Sequence, residues 1–156
     1  MGVTGSGKTT VVLLLAARLG WEFVDGDSFH PAANVEKMSR GIPLDDADRA
    51  PWLAALRAKI DEWKAAGCNV VLACSALKRS YREQLEIGAE VKLVYLKGSY
   101  ELITRRLRAR AGHFAGEKLL ASQFADLEEP AGAIVVSVDA TPEEIVEEIL
   151  SEHNAA

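Results

Sequence analysis

The chain has 156 residues, 49% of them hydrophobic and 26% charged, and a formal net charge of −5 at pH 7. That length suits one domain with a real core, and the acidic balance disfavours nucleic acid or an anionic membrane as partner. No apolar run approaches the ~18 residues that span a bilayer, and no secretory signal is visible. Cys68 and Cys74 bracket one strand-like segment without metal or redox spacing. Together these features fit a reducing, cytoplasmic setting.

The chain opens on Gly2-Val3-Thr4-Gly5-Ser6-Gly7-Lys8-Thr9, then Thr10. This is the G-x-x-x-x-G-K-[ST] phosphate-binding loop. Its glycines let the backbone turn its N–H groups onto phosphate oxygens, its lysine reaches the outer phosphates, and its hydroxyl can ligate Mg²⁺. A helix over 10–19 follows, with Val11, Val12, Leu14, Leu15 and Leu19 as its buried face and Gly20 as its stop. Such a loop follows a strand that is central in a parallel sheet, yet only Met1 precedes it here. Parallel central strands are buried on both faces. The expectation is that Met1 is an internal methionine of a longer chain, or a boundary. A natural start with a weakened or rearranged sheet is the alternative.

Residues 21–25 read as a short strand ending in a carboxylate, and 30–40 as a polar helix with Pro31 near its first turn. Trp52, Leu53, Leu56, Ile60 and Trp63 fall at helical spacing, with Pro51 in the first turn. Residues 69–74 form a buried strand, 78–87 a helix and 91–97 another strand. Residues 99–110 form a helix that Ser99 can cap. A loop with two glycines covers 111–116, a helix 117–127 and a last strand 133–139. Thr141 and Pro142 start a final helix, whose tail from 151 should fray. Strands alternating with helices predict an α/β fold with a parallel sheet covered on both faces, its site along the strand C-termini.

Asp25-Gly26-Asp27 sits at such a C-terminus. One carboxylate can hold a water of Mg²⁺ and the other can accept the proton of an attacking hydroxyl; an ordinary acidic turn is the plain alternative. The strand ending Ala73-Cys74-Ser75 lacks a carboxylate, and no Asn-Lys-x-Asp stretch occurs. Both absences favour a small-molecule kinase over a switch GTPase. Arg105, Arg106, Arg108 and Arg110 crowd one helix end, where the macrodipole alone would favour them. Arg106 and Arg110 share a face and make the better pair for a lid over the transferring phosphoryl group, leaving Arg105 and Arg108 solvated. His30, Arg40, Arg49, Lys78 and Arg82 lie near the crevice edge and suit an anionic acceptor, although each alone is as readily a surface residue. The three tryptophans read as core.

The stretch Asp25-Gly26-Asp27-Ser28-Phe29-His30-Pro31, with Gly41-Ile42-Pro43-Leu44, Asp48-Arg49 and Pro51-Trp52-Leu53, resembles the gluconokinases. So do Ala73-Cys74-Ser75-Ala76-Leu77-Lys78, Tyr81-Arg82, His113-Phe114 and Ser122-Gln123-Phe124. The resemblance spans the chain and keeps motif order. It implies a P-loop kinase three-layer sandwich, nucleoside-monophosphate-kinase-like and related to shikimate kinase, lacking its usual first strand. It implies a single kinase domain over 1–156, with an acceptor-binding segment at about 28–66 and a lid at about 110–118.

The implied activity is transfer of the ATP γ-phosphate to the 6-hydroxyl of D-gluconate, with Mg²⁺, in a homodimer without nucleic acid or membrane partners. Another hydroxy acid such as shikimate, or a truncated form with little activity, stays open. By the same resemblance Gly2, Val3, Thr4, Gly5, Ser6, Gly7, Lys8, Thr9 and Thr10 bind nucleotide, and Thr9 and Asp25 hold the metal, Asp25 through water. Lys8, Asp27, Arg106 and Arg110 carry the chemistry. Asp27, His30, Arg40, Arg49, Lys78 and Arg82 bind the acceptor, Arg49 taking its carboxylate. The family usually carries a hydrophobic strand and a Met before the first glycine, the position Met1 holds.

Overall fold

A computed structural model of the chain describes residues 1–110 and 114–155. Helix α1 (Lys8–Leu19) starts two residues earlier than the apolar pattern predicts, because Gly7 takes a left-handed φ of 91° and turns the loop straight into it. Gly20, at φ 69°, ends it and closes on the carbonyls of Ala16 and Ala17. Strand β1 (Glu22–Asp25) runs into a 3₁₀ turn, Gly26–Phe29. Helices α2 (Ala32–Ser39) and α3 (Asp46–Ala66) follow.

Pro51 does not lie in the first turn of α3, as its spacing suggested. A capping box of Asp45 and Asp48 starts that helix further upstream, and Pro51 sits inside it. The remaining elements are β2 (Val70–Ala73), α4 (Arg79–Gln84), β3 (Val94–Lys97), α5 (Tyr100–Ala109), α6 (Phe114–Asp126), β4 (Ile134–Ser137) and α7 (Pro142–Ala155). Helix α6 begins earlier than the predicted 117, and α7 keeps its final turns instead of fraying. Its end is docked: Lys92 Nζ donates to the His153 carbonyl at 3.1 Å, and Trp21 meets the His153 ring edge-on.

The four strands pair as β1 with β2 and β3 with β4, both parallel, with Asp25 opposite Ala73 and Lys97 opposite Ser137. The predicted sheet is therefore present as two pairs rather than one ladder. Met1 and Gly2 lie between them. Met1 N donates to the Val94 carbonyl, Leu96 N–H donates to the Met1 carbonyl at 2.9 Å, and Gly2 N–H reaches the Ser75 carbonyl at 3.4 Å. Beside Met1, β2 and β3 both line a cavity of about 510 Å³, with Val70, Leu72, Val94 and Leu96 among its apolar walls. Val70, Val71 and Leu72 are consequently half-buried, although their sequence reads as a fully buried strand.

Successive β2 residues face opposite layers. Val71 packs with Val11, Leu15, Val146 and Ile149 of α1 and α7, whereas Leu72 packs with Trp52, Leu56 and Ile60 of α3. Helices thus cover both faces. A third cluster, Val3, Leu77, Ile103, Leu107 and Leu120, clamps the phosphate loop to α5 and α6. Each of these buried side chains contributes about 1.5–3 kcal/mol relative to exposure, so the site rests on the core rather than on surface loops.

Candidate active site

The phosphate loop is shaped by two left-handed glycines, Gly5 at φ 75° and Gly7 at φ 91°. A Cβ at Gly5 would also lie 2.8 Å from Leu107 Cδ2, so the buried Leu107 side chain would have to shift. Lys8 Nζ folds back onto the carbonyls of Gly2 and Val3, at 2.9 Å each. Burial lowers the Lys8 pKa, and the negative charge of Asp27 opposes that shift. Thr9 and Thr10 are exposed on the first turn of α1. The buried Ser6 hydroxyl has no partner among the described residues. Thr4 N–H is taken by Gln123 Oε1 of α6 at 2.7 Å.

The acidic pair follows β1. Asp25 Oδ1 accepts from Asp27 N–H at 2.9 Å and caps the 3₁₀ turn, while the Asp27 carboxylate is exposed. Gly26 makes this possible. Its backbone passes so close to β2 that a Cβ would stand 2.6 Å from the Ala73 carbonyl oxygen. Trp52 Nε1 donates to the Gly26 carbonyl at 2.8 Å, fixing the turn from α3.

His30 stacks on Trp52 with ring centroids 4.4 Å apart. Asn34 Nδ2 donates to the Asp48 carbonyl at 2.7 Å, which fixes the amide, so His30 Nδ1 accepts from the same Nδ2 at 3.2 Å. The ring proton then sits on Nε2, 3.9 Å from Asp27 Oδ1. Burial lowers the His30 pKa and favours this neutral ring.

Arg49, 8% exposed, donates through Nη1 to Tyr81 Oη at 2.8 Å and to Asp126 Oδ2 at 2.9 Å. Burial opposes its charge, but these hydrogen bonds hold it above the usual arginine range. Lys78 Nζ donates to Asp46 Oδ1 at 2.9 Å and lies 4.0 Å from Asp126 Oδ1, and Tyr81 Oη donates to Asp46 as well. The hydrogen bonds from Tyr81 and Lys78 lower the Asp46 pKa. The result is an ion-paired corner of two cations and two carboxylates, built from α3, the start of α4 and the last residue of α6.

Other sequence-picked residues stand apart from this corner. Arg82 spends its guanidinium on main chain: Nη1 donates to the Ala76 and Leu77 carbonyls at 2.7 and 3.1 Å, and Nη2 to the Glu128 carbonyl at 2.8 Å. Arg40 is exposed beside Glu36. Arg106 Nη2 donates to the Val138 carbonyl at 2.6 Å, and Arg110 is exposed at the end of α5. Arg108 is not merely solvated; it holds Glu117 at 2.7 and 2.9 Å and ties α5 to α6. The predicted lid falls partly on 111–113, with His113, outside the described residues.

A family model described as an AAA domain matches residues 1–147. A gluconokinase from Gluconobacter oxydans is 50% identical over 99% of this chain and 89% of its own length. The chain belongs to the gluconokinase family. Among solved structures, a gluconokinase from Sinorhizobium meliloti superposes with a TM-score of 0.85 at 44% identity, covering 97% of this chain and 87% of that one. An unliganded sugar kinase from a Janibacter species gives a TM-score of 0.91 at 42% identity, covering 100% and 92%. The P-loop kinase fold expected from the sequence is therefore the fold present.

Sequence reasoning gave no site role to Asp46, Tyr81, Gln123 or Asp126, which the structure brings into contact with the candidate residues. Tyr81, Gln123 and Asp46 lay inside motif stretches, but only tertiary contact shows that Gln123 touches the phosphate loop and that Asp126 reaches Arg49. Asp126 carried no sequence signal beyond being one carboxylate on an amphipathic helix.

Proposed function

We propose that this chain transfers the γ-phosphate of ATP to the 6-hydroxyl of D-gluconate, giving 6-phospho-D-gluconate. The observation that carries the reading is the placing of an exposed carboxylate, Asp27, 3.9 Å from His30 Nε2 and near enough to the phosphate-loop Lys8 for its charge to oppose the lowering of that lysine's pKa. Phosphoryl transfer needs that neighbourhood: a base for the acceptor hydroxyl beside a cation for the phosphates. The Arg49 and Lys78 corner supplies the anion-binding half of the acceptor site, matched to a sugar acid.

In this mechanism the loop amides from Gly2 to Thr10 hold the triphosphate, and Lys8 leaves the Gly2 and Val3 carbonyls for the outer phosphates. Asp27 orients the 6-hydroxyl and accepts its proton, helped by His30 Nε2–H. Arg49 and Lys78 hold the carboxylate end. Arg106 from α5 and Arg110 at the edge of the lid at about 110–118 neutralise the phosphoryl group as the lid excludes water. Arg40 serves the rim. Arg82 acts by positioning α4 rather than by touching the acceptor.

The oxygens present are sparse: the Thr9 hydroxyl, exposed on the first turn of α1, and the Asp25 carboxylate at the end of β1. That donor set suits Mg²⁺, which keeps its waters and binds through phosphates with one or two protein oxygens. Thr9 and Asp25 would hold it, and when bound it offsets phosphate charge. We read residues 1–156 as one kinase domain acting as a cytoplasmic homodimer, a reading supported by the family likeness and testable by sedimentation.

The test is an ADP-release assay over D-gluconate, shikimate and other sugar acids. Gluconate-dependent turnover is expected, and a folded chain silent with gluconate refutes the reading. Asp27→Asn should lower turnover by about 10²–10⁴-fold while MgATP still binds. An Asp27→Asn variant at full turnover removes Asp27 from its role.

A further inference from the structure

We propose that Asp126 is a built-in competitor for the acceptor's carboxylate, holding Arg49 until an acid displaces it and thereby gating the acceptor site. The inference rests on the acceptor reading above and deepens it. Arg49 is buried, and a buried guanidinium left without a counter-charge is strongly destabilising. Asp126 provides that counter-charge at 2.9 Å, with Lys78 4.0 Å from its other oxygen. A carboxylate between two cations is the arrangement an acidic acceptor needs, and here the protein's own side chain has it.

Asp126 also differs from its neighbours in origin. Arg49, Asp46, Lys78 and Tyr81 come from α3 and the start of α4, whereas Asp126 is the last residue of α6. Its side chain is 27% exposed, so solvent and ligand can reach it. Asp46 keeps Lys78 and Tyr81 engaged, so the corner persists when Asp126 leaves. The exchange swaps one carboxylate for another and keeps Arg49 paired throughout. An uncharged polyol offers no such exchange and would leave the guanidinium buried alone.

Three residues before Asp126, on the same face of α6, Gln123 holds the phosphate-loop amide of Thr4. Release of Asp126 therefore loosens a helix that also touches the nucleotide site. One helix thereby senses both substrates, and acceptor binding is linked to the loop that holds the phosphates.

The experiment compares KM and kcat for D-gluconate in the wild type, Asp126→Asn and Asp126→Glu. Removing the competitor should lower KM about five- to tenfold in Asp126→Asn, with kcat changing less than KM, and Asp126→Glu should restore a KM near wild type. A KM that is unchanged or raised in a folded Asp126→Asn overturns the proposal, because a purely structural ion pair predicts that result. If Asp126→Asn does not fold, the ¹³C resonance of the Asp126 carboxyl in the wild type decides. It should move as D-gluconate saturates the protein, and an unmoved resonance at saturation overturns the gate. Shikimate is added in parallel. Movement with a carboxylate that is bound but not phosphorylated supports the gate even where gluconate turnover fails, so the two readings fall separately.

Discussion

Replacing Gly26 with alanine tests whether the close approach of β1 and β2 sets the chemistry. The added Cβ would stand 2.6 Å from the Ala73 oxygen and 3.4 Å from Cys74 Cβ. Gly26 is not in the left-handed region, so the penalty is steric alone. Relieving the clash to 3.4 Å requires a shift of about 0.8 Å between two backbones joined in register at Asp25 and Ala73. Overpacking of this kind costs about 1–3 kcal/mol, and the stiffer unfolded chain returns about 0.4–1 kcal/mol. The net loss of about 1–2 kcal/mol should lower Tm by about 2–8 °C for a chain of this length. The same shift moves Asp25 and Asp27, and a misplacement near 1 Å can cost about 10²-fold in rate. Urea and thermal unfolding give the first quantity, and the ADP-release assay gives the second. Gly88→Ala is the control, because its new Cβ meets only the Glu86 oxygen at 3.9 Å. A Gly26→Ala variant as stable and as active as Gly88→Ala would refute the reasoning.

Burial lowers the His30 pKa below its ordinary 6.5, so as pH falls through that value the unfolded chain takes up a proton that the folded chain resists, and stability falls. Urea midpoints measured on either side of that pH, against His30→Gln, read the slope; equal slopes in the two forms would show that the ring is not responsible. Arg82→Met should destabilise by about 2–4 kcal/mol, since it strips donors from the Ala76, Leu77 and Glu128 carbonyls. An unchanged urea midpoint would mean that those carbonyls do not depend on the guanidinium.

The phosphate loop, the helix after it, the acidic turn and the order of strands and helices were all legible in the chain, because each depends on residues close in sequence. Gly7 and Gly20 bound α1 through backbone freedom that only glycine offers cheaply, and Thr141 with Glu144 start α7 by reciprocal capping. The placement of Pro51 misled because the Asp45 and Asp48 capping box outranks a proline as a helix start. The tail of α7 misled because its stability comes from Lys92 and Trp21, far away in the chain.

Arginine roles were the least legible part. Arg49 and Arg82 look alike in sequence, each near an aromatic residue and each within a charge-rich stretch. Tertiary structure separates them: Arg49 meets a carboxylate and a phenol, whereas Arg82 meets three carbonyls. A guanidinium's role is decided by which acceptors fold around it, and those come from Asp126, 77 residues away, and Glu128, 46 residues away. What the sequence determined was local backbone geometry and the type of chemistry, set by residue identity at short range. What only the tertiary structure decided was the hold of α6 on both the phosphate loop and Arg49, and the division of labour among the arginines. These depend on long-range contacts, whose energies no short stretch of sequence contains.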